Sequence, residues 1–363
     1  MKVIEHIKQN GLESLSSLGI IVKKYPEGLI VLNYSQIESP KHDAITMECR
    51  GLIIDEQYNV VSRSFDRFFN YGEMGSQFDI NKSTIFEKLD GSLIKIYNWK
   101  DVWYVSTRGT AYAESSVNGF EITFKGLVFK SLNIETDEQF QRHCNSFLDK
   151  NITYICEITA MENRVVTRYA GYTLWFLAAR NNITFKYEEI SETTLLRFGC
   201  VLPEKFTFKT VTECVMASVH LPDLKEGYVA YESGVPVCKI KSPAYVATHH
   251  LRGDGLNPKR IAELVVINEQ AEYLKYFPED TDHFAPYIDA LASSLQQAQH
   301  VYTANSHLTD QKQFALSIKG HPFCHLLFEA RKRNNNNIKH VFDCGTTEQK
   351  VKFLLSILNV KES

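Results

Sequence analysis

The chain has little of what marks a special architecture. Only 10 of its 363 residues are proline and 18 are glycine, which excludes collagen-like and low-complexity folds. No apolar run approaches the ~18 residues that a membrane-spanning helix needs, so no membrane partner is expected. The opening stretch, MKVIEHIKQNGLESL, lacks the apolar segment and small-residue cleavage site of a signal peptide. Its eight cysteines (Cys49, Cys144, Cys156, Cys200, Cys214, Cys238, Cys324 and Cys344) include no CxxC pair. They read as reduced thiols in a cytoplasmic protein, or in host cytoplasm if the source is viral. His321, Cys324 and His325 lie close together, but no second ligand group follows at zinc-finger spacing, so they read as a helix start. Charge of one sign is also missing. With 40 Lys+Arg against 43 Asp+Glu the net charge is −3, and any polyanion site must be local.

What remains is an ordinary globular composition, 44% hydrophobic and 23% charged, long enough for two domains. Before residue 250, β-branched and aromatic runs alternate with Gly, Asn, Asp and Ser turns. Strands are expected at Gly51–Asp55, Val60–Ser64, Ser92–Tyr97, Val102–Thr107, Thr153–Thr159, Tyr172–Ala178, Gly227–Tyr231 and Val235–Lys241. Turns at Asn98–Asp101 and Glu232–Gly234 predict hairpins. Helical periodicity marks Asp137–Phe147, Glu188–Phe198 and Thr210–Val219. This mixture lacks a strict βαβ rhythm and predicts α+β with antiparallel sheets. After Arg252–Gly253–Asp254–Gly255 the pattern turns helical, at Pro258–Val266, Phe284–Thr303, Asp310–Arg333 with a break at Gly320–Pro322, and Glu348–Leu358. The expected domains are 1–250 and an all-α 251–363. The second is neutral overall, with 13 basic and 13 acidic residues, but Lys312, Lys319, Arg331, Lys332, Arg333 and Lys339 concentrate in one segment. Phe314, Phe323 and Phe328 interleave with them. That pattern suits RNA contact and base stacking, and equally an amphipathic helix with a solvated basic face.

The chemistry centres on Glu87–Lys88–Leu89–Asp90–Gly91–Ser92–Leu93. A strand-like run delivers a lysine to an Asp-Gly turn. Such a lysine is a nucleophile only when neutral, so its pKa must fall from the usual ~10.4. Alone, K-x-D-G is a weak signal and a solvated hairpin lysine is the commoner case. Other charged residues lie in or beside strand-forming runs: Glu48–Cys49–Arg50–Gly51, Ser62 to Asn70 with Arg67, Ser106–Thr107–Arg108–Gly109, Cys156–Glu157–Ile158, Glu226–Gly227–Tyr228 and Lys239–Ile240–Lys241. Period 2 puts Lys239 and Lys241 on one face, where two cations repel unless an anion lies between them. Bland readings exist for each: an Arg50–Glu48 ion pair, a solvated Glu226, edge-strand lysines at 239 and 241. Glu157 resists one, because a buried carboxylate must be paired. Trp175 and Phe176 have two readings, a ring to stack on a planar base or core, and at strand spacing core is the commoner.

The ordered set E-C-R-G, S-R-x-x-x-[KR]-F-F-N, K-x-D-G-S-L, E-x-x-x-x-x-N-R from Glu157 to Asn163–Arg164, E-G-Y-V-A and K-I-K-S resembles the covalent nucleotidyltransferases. Within them it is most similar to the ATP-dependent RNA ligases of the bacteriophage RNA ligase 1 family. The resemblance covers about residues 30–250. It implies a nucleotidyltransferase (ATP-grasp-like) domain of antiparallel sheets with flanking helices, followed by a helical domain that helps choose RNA. It implies that Lys88 attacks ATP, that AMP passes to an RNA 5′-phosphate, and that an RNA 3′-hydroxyl then displaces AMP. Magnesium is expected, with manganese as a substitute. By family position Arg50, Arg67 and Arg108 touch phosphate, Arg67 and Arg108 standing where the phage enzyme carries lysine. Glu157 binds ribose or metal, and Glu226 is a metal or metal-water ligand. Lys239 and Lys241 neutralise phosphate and depress the Lys88 pKa. Glu87 is a candidate adenine reader, though the phage enzyme lacks it. The implied setting is repair of broken RNA, such as a cleaved tRNA anticodon loop. A monomer is the default expectation, and whether a separate end-healing kinase and phosphatase prepares the ends stays open. A GTP-dependent capping guanylyltransferase and a catalytically silent RNA binder on the same fold are the alternatives. The missing OB-fold pattern disfavours the first, and the joint presence of Lys88, Glu157, Glu226, Lys239 and Lys241 disfavours the second.

Overall fold

A computed structural model describes residues 1–222, 224–253 and 256–360. Asp254 and Gly255, part of the turn where helical patterning begins, lie outside the described residues. Two compact units emerge, Met1–Val246 and Ala247–Ser363.

The first unit is α+β and holds three sheets. A four-stranded antiparallel meander joins Ile20–Lys24, Leu29–Tyr34, Arg50–Asp55 and Val60–Ser62. A five-stranded antiparallel sheet runs in the order Tyr187–Glu188, Thr173–Asn181, Ile152–Thr159, Ser92–Trp99, Val102–Ser106. The third sheet runs Lys205–Phe206, Ser83–Lys88, Gly227–Glu232, Val235–Lys241, Phe69–Asn70, and its last pair is parallel. Both expected hairpins form. Their turns hold Lys100 and Asp101, then Ser233 and Gly234, at positive φ, the geometry that matches strand twist.

Alternation along the strands sorts the side chains into layers. In Ile152–Thr159, Cys156 and Ile158 face a core shared with helices Phe124–Ser131, Asp137–Phe147 and Glu192–Phe198. Ile155 faces the other way. It joins Phe65, Ala178, Val229 and Tyr231 in a cluster that ties the two five-stranded sheets together. Glu157 has the parity of Ile155, and Lys88 has the parity of Phe86. The third sheet's far face packs Cys238 and Ile240 against helix Val211–Val219.

Some elements differ from expectation. The helix expected at Glu188–Phe198 begins at Glu192, because Tyr187–Glu188 pairs as a strand and Ser191 caps the helix through Thr194 N–H. Helical structure begins earlier than the turn at 252, at Pro243. All eight cysteines are free, six of them buried.

The second unit is all-α with its own core, which includes Leu264, Tyr273, Phe284, Phe314, Leu327 and Leu354. Phe314 and Phe323 are buried there, so these two rings are not available to stack on bases, and Phe328 packs against the same core half-buried. Arg331 lies 4.4 Å over the Phe314 ring and donates to the carbonyls of Leu308 and Thr309 at 2.7 Å. Among the described residues, no helix is long and apolar enough to cross a membrane.

Candidate active site

Three neighbouring strands set Lys88, Gly227 and Lys241 abreast, since Gly227 pairs with Lys88 on one side and Lys241 on the other. Glycine is required between them. Its φ is +143°, and a Cβ would lie 2.0 Å from the Ile240 carbonyl oxygen. The two lysines converge on the preceding residue. Glu226, almost fully buried, takes Lys88 Nζ on Oε2 at 2.7 Å and Lys241 Nζ on Oε1 at 2.8 Å. Glu226 is thus not a solvated strand-end carboxylate. Burial pushes its pKa up, the two ammonium groups pull it down harder, and the net shift is downward.

Lys88 differs from the expectation in one respect. Burial lowers its pKa, but the attraction of Glu226 and Glu157 and the hydrogen bond to Glu226 outweigh burial, so the pKa is raised. In the ligand-free chain it is an ammonium ion. The amine that is depressed is Lys239, brought to about 6 by burial and by Arg50, Lys88 and Lys241. Lys239 donates to the Phe68 carbonyl at 2.8 Å and lies 4.4 Å over the Phe68 ring. The expected repulsion between Lys239 and Lys241 is therefore relieved within the protein, by a neutral amine and a shared carboxylate.

Arg50, Glu87, Lys88, Glu157 and Lys239 line one cavity of about 170 Å³, walled by Phe65, Phe68, Phe86, Phe176 and Tyr231. Phe176 fits both readings made from the sequence, since it packs against the helix-covered core and also lines this space. A bulge between Phe176 and Ala178 breaks the strand's alternation, which period counting cannot foresee. Glu157 accepts no hydrogen bond among the described residues, and burial raises its pKa to about 8, so it escapes the pairing requirement by staying protonated at neutral pH. Glu87 is held by Lys225 at 3.1 Å.

Arg50 does not pair with Glu48. That carboxylate is taken by Arg63 at 3.6 Å and by the Val3 N–H at 2.9 Å. Arg50 Nε and one terminal nitrogen are buried without a hydrogen-bond partner, as is one terminal nitrogen of Arg67. Arg67 and Arg108 both lie over the Tyr34 ring, at 4.4 and 4.6 Å. Arg108 donates to Asn33 Oδ1 at 2.8 Å, and burial followed by repulsion from Arg50 and Arg67 lowers its pKa. Buried guanidinium donors left open beside one another are a ready anion cradle.

The turn carrying Lys88 is fixed by Asp90. Its carboxylate accepts from Val166 and Thr167 N–H at 2.7 Å each and from the Tyr245 hydroxyl at 2.6 Å. Asn163 bridges Ser92 Oγ and the Ile158 carbonyl. Tyr34, Asp90 and Tyr245 were missed as site residues. Asp90 lies inside a quoted motif, but its partners come from distant segments. Among the described residues no group of three or more His, Cys, Asp or Glu side chains could hold a metal ion.

Residues 48–245 match the sequence profile of a family described as RNA ligase. The chain belongs to the RNA ligase family. A baculovirus protein (Autographa californica nuclear polyhedrosis virus), whose name joins polynucleotide kinase with RNA ligase, is 36% identical over 353 residues, covering 93% of this chain and 50% of its own length. This RNA ligase family member thus spans about half the length of that relative. An RNA ligase of Rhodothermus phage RM378 is 25% identical over 339 residues, covering 75% of this chain and 76% of its own. An archaeal ATP-dependent RNA ligase structure aligns with a TM-score of 0.47 at 16% identity, covering 80% of this chain and 78% of its own.

Proposed function

We propose that this chain is an ATP-dependent RNA ligase that works through lysyl-AMP and RNA-adenylate intermediates. One observation carries the reading. Lys88 opens into an aromatic-walled cavity that Arg50 also lines, and among the described residues two Arg50 nitrogens and one Arg67 nitrogen are buried without a hydrogen-bond partner. Adenine suits the aromatic walls and a triphosphate suits Arg50, Arg67 and Arg108.

Lys88 Nζ attacks the α-phosphorus, the bond to the β-phosphate's bridging oxygen breaks, and pyrophosphate leaves. Lys241 neutralises charge on the α-phosphate and the departing group, and Lys239 joins it once adjacent phosphate oxygens raise its pKa and it takes up a proton. Loss of the Lys88 proton must precede attack, since the ammonium has no lone pair. Glu157, on losing its proton, and Glu226, on releasing one of its two ammonium partners, are the carboxylates that would hold a divalent cation. They supply two protein ligands, which suits a magnesium ion that keeps water and phosphate oxygens for the rest. When bound, it shields phosphate charge and stabilises in-line displacement. The AMP then moves to an RNA 5′-phosphate and a 3′-hydroxyl seals the strand. The baculovirus relative's name pairs kinase with ligase, which supports a partnership with end-healing enzymes in RNA repair. The setting would be cytoplasmic, in the host if the source is viral.

The test is self-labelling with magnesium and α-labelled ATP or GTP, followed by denaturation. Label from ATP, lost in Lys88→Met and Lys88→Arg, is expected. Label from GTP alone would mean a capping-type enzyme, and no label from either would mean a silent RNA binder.

A further inference from the structure

A second lysine has no part in the chemistry described so far. Lys95 lies in the strand Ser92–Trp99, seven positions beyond the nucleophile, and its residue is fully buried. A buried lysine is rare unless a carboxylate accompanies it. Here none does: burial is the sole cause of its pKa falling to about 7. Among the described residues its side-chain amine makes one hydrogen bond, to the Gly51 carbonyl oxygen. Ser106, opposite it in the sheet, keeps its hydroxyl without a partner. Burying an amine for one carbonyl is costly, so that carbonyl's position matters.

Gly51 is where the arginine cluster is assembled. Between Leu32 opposite Leu52 and Asn33 opposite Arg50, the register shifts and Gly51 is left with no residue across from it. Its φ is +69°, and a Cβ there would lie 2.7 Å from the Arg108 carbonyl oxygen. The bulge therefore does two things. It turns Arg50 toward the cavity, and it lets the backbone of Arg108 come alongside. Asn33, opposite Arg50, then holds Arg108 Nε at 2.8 Å.

We infer that Lys95 is a positioning residue for phosphate recognition. By holding the Gly51 bulge it sets the spacing of Arg50 and Arg108, and through them the affinity for the nucleotide's phosphates. It touches neither nucleotide nor RNA. The inference rests on the ligase reading, and the experiment separates the two. Full-length wild type and Lys95→Met, which keeps the length of the side chain without its donors, are self-labelled over a range of α-labelled ATP concentrations. If wild type takes no label, the ligase reading fails. If it labels, the half-saturating ATP concentration in Lys95→Met should rise about tenfold, the worth of one lost charge-assisted contact, while the limiting rate changes less than about threefold. A purely structural lysine would lower the labelled fraction and leave half-saturation alone. A half-saturating concentration within about twofold of wild type overturns the inference. If circular dichroism shows Lys95→Met unfolded, Lys95→Leu at reduced temperature is read by the same two outcomes.

Discussion

Glu226 carries two ammonium groups on one carboxylate, and this decides the resting state of Lys88. Removing the negative charge removes what raises the lysine's pKa. In Glu226→Gln the rise of self-labelling rate with pH, which follows the neutral amine, should therefore move to lower pH, even though the rate itself falls. Rates measured between about pH 6 and 10 would show it, and an unshifted profile would count against Glu226 as the group that holds Lys88 charged. Much of this residue-level picture was legible, because K-x-D-G, E-G and K-x-K fall at strand ends and strand period. Lys95 and Tyr34 were not. Lys95 reads in sequence like any edge-strand lysine, and only the fold reveals that it is buried. The rings of the helical unit carried two equal readings, stacking surface or amphipathic helix, and the burial of Phe314 and Phe323 favours the second.

Among the elements, the long alternating strands and the helices Asp137–Phe147 and Pro258–Val266 could be read directly, because their periodicity and caps agree. The two-residue strands Phe69–Asn70, Tyr187–Glu188 and Lys205–Phe206 could not, being too short to carry a period. Yet Phe69–Asn70 edges the third sheet beside Lys239. Close strand approach at Gly227 is equally invisible in sequence. Gly227→Ala should force apart the strands bearing Lys88 and Lys241, lowering the melting temperature by at least about 4 °C and abolishing self-labelling. A fully active, equally stable Gly227→Ala protein would show that the three-strand row is not what aligns the lysines.

At the level of the molecule, each unit has its own apolar core, and the candidate active site draws on Met1–Val246 alone. We propose that residues 1–253 suffice for the first step and that the helical unit acts on RNA choice. The truncated protein should take label from ATP as the full chain does but join a panel of nicked and hairpin RNAs with altered preference. Unchanged joining of every RNA would remove that role from the helical unit.

The salt link at Glu226 also bears on the chemical reactivity of Lys88. A lysine poised to take up a phosphorus centre would be open to any stray electrophile, including acetylating and carbamylating metabolites. With its lone pair tied up by a proton that a neighbouring carboxylate secures, Lys88 is shielded from such reagents.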